Sequence, residues 1–184
     1  MPFTDSCSWL IVLNPKDSLN FLFPPIKFKG KFGGILPYFI KVNGQRYIVS
    51  YFYCNSDTEA TNGFVFHLHN SEGKLIKEKL IPYNDYGNFQ VINSFKENDK
   101  NFYLIDIKGR IYSSDTSLVI KRVSVPDIDG LNIISKNMKV LDSDGDGKKE
   151  IIFYSHKPSP DKLVIYRSSL KESTIVNLSL NRIW

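Results

Sequence analysis

Asp142-Ser143-Asp144-Gly145-Asp146-Gly147-Lys148-Lys149-Glu150 runs straight into the apolar stretch Ile151-Ile152-Phe153-Tyr154. Carboxylates stand at loop positions one, three, five and nine, and two glycines let the chain turn tightly. Four carboxylates packed this closely repel one another unless a cation neutralises them. Hard cations such as Ca²⁺ take six to eight oxygens at about 2.3–2.6 Å, from carboxylates, backbone carbonyls and water. An EF-hand shares this opening but needs a Glu at position twelve and flanking helices. Position twelve here is Phe153, inside a strand-like run, so an EF-hand is excluded.

The loop sits inside a repeat. Shifted by 49 positions, Val140–Ser155 lies without gaps over Val91–Asp106, so that Asp142 meets Asn93, Asp146 meets Glu97 and Glu150 meets Asn101. Phe95 stands where Asp144 would be, which makes the earlier copy a metal-free version. A shorter third copy, Tyr38–Ser50, replaces the long loop by Asn43-Gly44, a strong hairpin signal. After each copy comes a second hairpin, at Gly63–Tyr83, Gly109–Pro126 and Lys162–Asn181, and a fourth such hairpin spans Trp9–Phe28. Their starts, Trp9, Phe64, Ile111 and Leu163, are 55, 47 and 52 residues apart. A period of about 50 built from four short strands is the mark of a β-propeller. Inner strands, covered on both faces, should read as continuous apolar runs. Ile151–Tyr154, Phe102–Ile105 and Tyr47–Val49 do, whereas Leu75–Ile81 is mixed.

The expected fold is therefore all-β, with about three complete four-stranded propeller blades and a partial one. The approximate blade bounds are 1–30 (partial), 35–83, 88–126 and 132–181, within one domain spanning 1–184. Ile35-Leu36-Pro37, Asn84–Asn88 and Pro126–Gly130 read as linkers between blades. A closed propeller takes about four to eight blades, so the chain reads as a piece of a longer propeller, completed by further blades of a longer chain, with a partner in an assembled propeller and an atypical four-bladed ring as the alternatives.

The pattern D-x-D-x-D-G-x-x-D/E leading into a strand resembles the calcium loop of FG-GAP/VCBS-type, integrin-α-like β-propeller repeats. Carried over, the resemblance makes Asp142, Asp144, Asp146 and Glu150 side-chain ligands of Ca²⁺, with Lys148 offering its carbonyl. Phe32-Gly33-Gly34 reproduces only the first dipeptide of the family's signature. The resemblance implies a non-catalytic binding module with a structural ion, a protein or glycan ligand, and an extracellular or periplasmic setting. Two alternatives follow from similar propellers: part of the sensory ectodomain of a bacterial membrane-bound sensor kinase, or an accessory propeller of a polysaccharide-active enzyme.

Composition agrees with a β-rich domain. Aromatics reach 14%, and Ala60 is the only alanine, which disfavours helices. The net charge of +5 is spread along the chain. The densest basic run, Lys27-Phe28-Lys29-Gly30-Lys31, reads as a lysine-protected strand edge rather than a nucleic-acid surface. No signal peptide is visible, and no run approaches the ~18 apolar residues of a membrane span, so no direct membrane insertion is expected. Cys7 and Cys54 are too few for a disulfide framework. His67 and His69 alternate on one strand and, with His156, are weighed as a zinc site; they read better as partly exposed strand histidines. Trp9, Tyr51, Phe52 and Tyr53 read as core or blade-packing residues. No nucleophile elbow, phosphate loop or dinucleotide fingerprint is present, so no catalytic residue is named.

Overall fold

The computed structural model describes residues 7–14, 16–17, 20–29, 32–54, 63–82, 89–92, 100–106, 108–124, 138–155 and 160–178. All regular structure among them is antiparallel β, with no helix. The strands are β1 (Cys7–Leu10), β2 (Ile26–Lys29), β3 (Phe32–Val42), β4 (Gln45–Cys54), β5 (Gly63–Asn70), β6 (Leu75–Pro82) and β7 (Phe89–Ile92). They continue with β8 (Phe102–Asp106), β9 (Ile111–Ser114), β10 (Lys121–Arg122), β11 (Lys139–Leu141), β12 (Glu150–Ser155), β13 (Asp161–Tyr166) and β14 (Ser173–Leu178). One two-stranded sheet, β1-β2, is followed by three four-stranded sheets: β3-β4-β5-β6, β7-β8-β9-β10 and β11-β12-β13-β14. In each, spatial order equals chain order, so every sheet is a simple meander.

The chain divides into two compact units, Met1–Asp85 with Thr116–Leu118, and Tyr86–Asp115 with Val119–Trp184. In the first, β3 and β4 are joined at Asn43 and Gly44, whose φ angles of 50° and 76° are both positive, as a tight two-residue hairpin turn requires. Among the described residues β3 is an edge strand, paired only with β4. Ile35-Leu36-Pro37, read from the sequence as a linker, lies inside it, with Pro37 opposite Ser50. An edge tolerates proline because the missing N–H faces no neighbouring strand. The β1-β2 sheet packs on one face of the β3–β6 sheet through Leu10, Val12, Phe23 and Ile48, with Ile26 and Val65 at the margin. The β5–β6 turn closes by the Gly73 N–H donating to the Asn70 carbonyl at 3.1 Å and the Lys74 N–H to Asn70 Oδ1 at 2.8 Å.

In the second unit, two four-stranded meanders share one core. Ile92, Tyr103, Ile105 and Ile111 from the β7–β10 sheet meet Ile151, Phe153, Val164, Tyr166 and Leu170 from the β11–β14 region. Every residue of β8 is buried, as its continuous apolar run predicts, whereas β12 differs from that expectation: it buries Ile151 and Phe153 fully but leaves Ile152 and Tyr154 half-buried, so one of its faces is less covered. Burying a side chain such as Phe153 is worth about 1.5–3 kcal/mol. β14 is largely exposed, as the solvated last strand of its meander.

The buried carboxylate of Asp106 organises the β8–β9 turn. Its Oδ1 accepts from the Lys108 and Arg110 backbone N–H groups at 2.9 and 3.0 Å, and its Oδ2 from Arg110 Nε at 2.6 Å and the Tyr112 hydroxyl at 3.0 Å. Burial, and then the nearby Asp106 carboxylate, push the Tyr112 hydroxyl above its ordinary value. No helix among the described residues is long and apolar enough to cross a membrane.

Candidate metal centre

Asp142–Lys149 forms the connection between β11 and β12, the first two strands of the last meander. The register Leu141↔Glu150 fixes both ends of the loop. Within it the Asp142 carboxylate acts as a hub. Its Oδ1 accepts from the Gly145 N–H at 2.7 Å and its Oδ2 from the Gly147 N–H at 2.9 Å. Both glycines are left-handed, with φ of 78° and 81°. A Cβ at either would meet nothing within 4 Å, so the backbone angle, and not crowding, asks for glycine. Asp144 Oδ1 accepts from the Asp146 N–H at 3.3 Å, and Asp146 Oδ1 from the Lys148 N–H at 2.8 Å.

The curl brings carboxylate oxygens of Asp142, Asp144 and Asp146 within 4.8 Å of one another, all on exposed residues. Two oxygens bound to one Ca²⁺ at about 2.3–2.6 Å each can stand no more than about 5.2 Å apart. The three aspartates therefore fit the span of a single hard cation, and an all-oxygen donor set suits Ca²⁺ over softer metals.

Of the five residues expected from the sequence, these three come together. Glu150 stands apart from that group. It is 1% exposed, and its Oε2 accepts from both the N–H and the hydroxyl of Ser143, each at 2.8 Å. It ties the start of the loop to the start of β12. Lys148 contributes its N–H to Asp146, and its Nζ lies 3.6 Å from Asp146 Oδ2.

Arg167 and Ser143 escaped the sequence reading. The Arg167 guanidinium pairs with Asp144 Oδ2. The register Ile151↔Tyr166 explains the approach, because it sets the residue after Tyr166 beside the residue before Ile151, at the loop's foot. A separation of 23 residues carries no local signal for this contact. The degenerate copy at Asn93, Phe95 and Glu97 lies outside the described residues.

The histidines differ from expectation. His67 and His69 are 7% and 1% exposed, so they are buried where partial exposure was expected. On the same face of the sheet, Ile48, which pairs with His69, and Val65 pack with Leu10, Val12 and Phe23 of the β1-β2 segment. His67 Nε2 lies 2.8 Å from Glu78 Oε2, and the two imidazoles are 5.9 Å apart. Among the described residues the aspartate triad is the only set of three ligating side chains gathered closely enough for one ion. His156 lies outside the described residues, as do the side chains of Cys7, Cys54, Phe52 and Tyr53. Tyr51 is buried, stacked on Phe66 with ring centroids 5.3 Å apart, whereas Trp9 is 41% exposed with Lys27 Nζ 5.5 Å over its ring.

No protein-family model, curated protein or solved structure matches this chain.

Proposed function

We propose that this chain is a non-catalytic, calcium-binding β-propeller module that recognises a protein or glycan, with the ion in a structural role. The observation that carries the reading is the aspartate triad, held within one ion's span at the turn into β12. Three successive four-stranded meanders, two of them sharing one hydrophobic core, support the propeller architecture. Asp142, Asp144 and Asp146 would hold the ion, and the loop backbone, including the Lys148 carbonyl, would complete the oxygen shell. Glu150 supports the shell from beneath by fixing Ser143. Bound Ca²⁺ would neutralise the triad and rigidify the β11–β12 turn, holding that end of the blade in shape for a partner. An exposed loop of this type suits the millimolar calcium outside the cytosol, where extracellular modules bind at about 10⁻⁴–10⁻³ M, so an extracellular or periplasmic setting belongs to the proposal.

Calorimetric titration of Ca²⁺ into the protein and into Asp144→Asn tests the assignment. One site per chain, weakened at least tenfold by the substitution, is the expected result. Equal heats from both proteins would remove the loop from consideration.

A further inference from the structure

Trp9-Leu10-Ile11-Val12-Leu13 is apolar without alternation, the pattern of a strand covered on both faces. In the first unit the chain uses only one of those faces. Leu10 and Val12 are buried in the core shared with Ile48, while Trp9, Ile11 and Leu13 are 41%, 52% and 44% exposed. Leu13 bridges Phe21, itself 56% exposed, and Trp9 pairs with Lys27, whose ammonium lies over the indole ring. The exposed face of the first hairpin is therefore an apolar band of Trp9, Ile11, Leu13 and Phe21 with a cation at Trp9. An exposed apolar patch of this kind marks an interaction surface.

In the second unit the β11–β14 sheet carries another apolar face. Ile151, Phe153, Val164 and Tyr166 are taken up by the core. The registers Ile152↔Ile165, Tyr154↔Leu163 and Leu163↔Val176 gather the alternate residues on the opposite face. Ile152, Tyr154, Leu163 and Ile165 there are half-buried, and Val176 is 42% exposed. Asp161, which accepts from the Tyr154 hydroxyl, and Lys139, opposite Ile152, lie on the same face.

The occupant both faces fit is a second copy. Elsewhere in this chain an apolar sheet face is covered by another sheet of the same chain: β1-β2 packs on β3–β6, and the β7–β10 and β11–β14 sheets share one core. A second copy brings cover of that kind to both faces at once, because each copy carries one of each. An aromatic band with Lys27 then meets an aliphatic face with the Asp161 carboxylate. Four sheets per copy make eight in a pair, within the four to eight of a closed propeller. On the propeller reading above, we propose that two copies of this chain associate head to tail, the exposed face of the first hairpin of each docking on the open face of the β11–β14 sheet of the other. Such a heterologous contact closes when it is made twice in a pair.

Sedimentation equilibrium of the intact chain, in EDTA and again in Ca²⁺, reads association separately from the calcium site. A species of twice the 21.2 kDa chain mass is expected. A monomer throughout the micromolar range would overturn the proposal and leave the calcium titration to stand or fall by itself. Ile11→Lys and Val176→Lys each place a charge on an exposed position of one face, which is buried twice in the pair. Each should weaken association at least about tenfold. Mixing the two variants should restore a pair, since one unaltered contact remains between them, and unfolded variants could not do this. Association unchanged in Val176→Lys would mean that the hairpin faces meet each other, and it would overturn the head-to-tail contact, as would a mixture that stays monomeric.

Discussion

Gly73→Ala offers a sharp test of how the first hairpin is seated. Gly73 has φ of +80° and ends the β5–β6 turn, with Phe23 covering it. Phe23 is itself 6% exposed. An alanine there meets two penalties. The left-handed backbone is unfavourable for a residue with a Cβ by about 1–2 kcal/mol. The methyl would also stand 2.5 Å from Cγ and Cδ2 of Phe23, so the ring must move out of its packed position, at about 1–3 kcal/mol for overpacking of this kind. Alanine restricts the unfolded chain, which returns about 0.4–1 kcal/mol. The net expectation is a loss of about 1–4.5 kcal/mol. Urea denaturation followed by circular dichroism measures it. The ring term can be isolated by a double-mutant cycle: in a Phe23→Ala background, Gly73→Ala should lose only about 1 kcal/mol, the backbone part. A loss below about 0.5 kcal/mol in the parent, or strict additivity in the cycle, would refute this packing.

Two further outcomes follow from the loop. Glu150→Gln should lower stability by about 1–3 kcal/mol even in EDTA, since a buried charged acceptor of two Ser143 hydrogen bonds is weakened; denaturant melts in EDTA check this, and no change would contradict the supporting role. Arg167→Gln should tighten Ca²⁺ binding about 1.5–5-fold, because the exposed pair with Asp144, worth about 0.2–1 kcal/mol, no longer competes; calorimetric titration at low salt reads the change, and weaker binding would contradict it.

The strands most legible in the sequence were those whose residues settle their own environment. Phe102–Ile105 is apolar without alternation and is buried on both faces, while Ile151–Tyr154, equally apolar and also an interior strand, buries one face fully and the other only in part. Asn43-Gly44 is a hairpin turn by its own backbone preferences. Pro37 misled, because proline breaks a strand only where its N–H is needed, and an edge does not need it. The histidines misled for a different reason. Alternation shows that His67 and His69 share a face, but not that the β1-β2 segment packs on that face. The same limit applies at the loop. The spacing of Asp142, Asp144 and Asp146 encodes their convergence, because one short curl brings them together. The turn of Glu150 toward Ser143 and the arrival of Arg167 depend on sheet register, which local spacing does not carry.

The most direct measurement is a thermal melt of the chain in excess EDTA and again with Ca²⁺ at about a hundredfold above its dissociation constant. Binding to the folded state alone then adds about 2.7 kcal/mol, which for a chain of this size raises the Tm by roughly 5–11 °C. Calcium should produce that rise, and a chain carrying both Asp142→Asn and Asp144→Asn should lose it. A Tm indifferent to calcium, or a rise that survives the double substitution, would contradict the calcium site on which the proposed function rests.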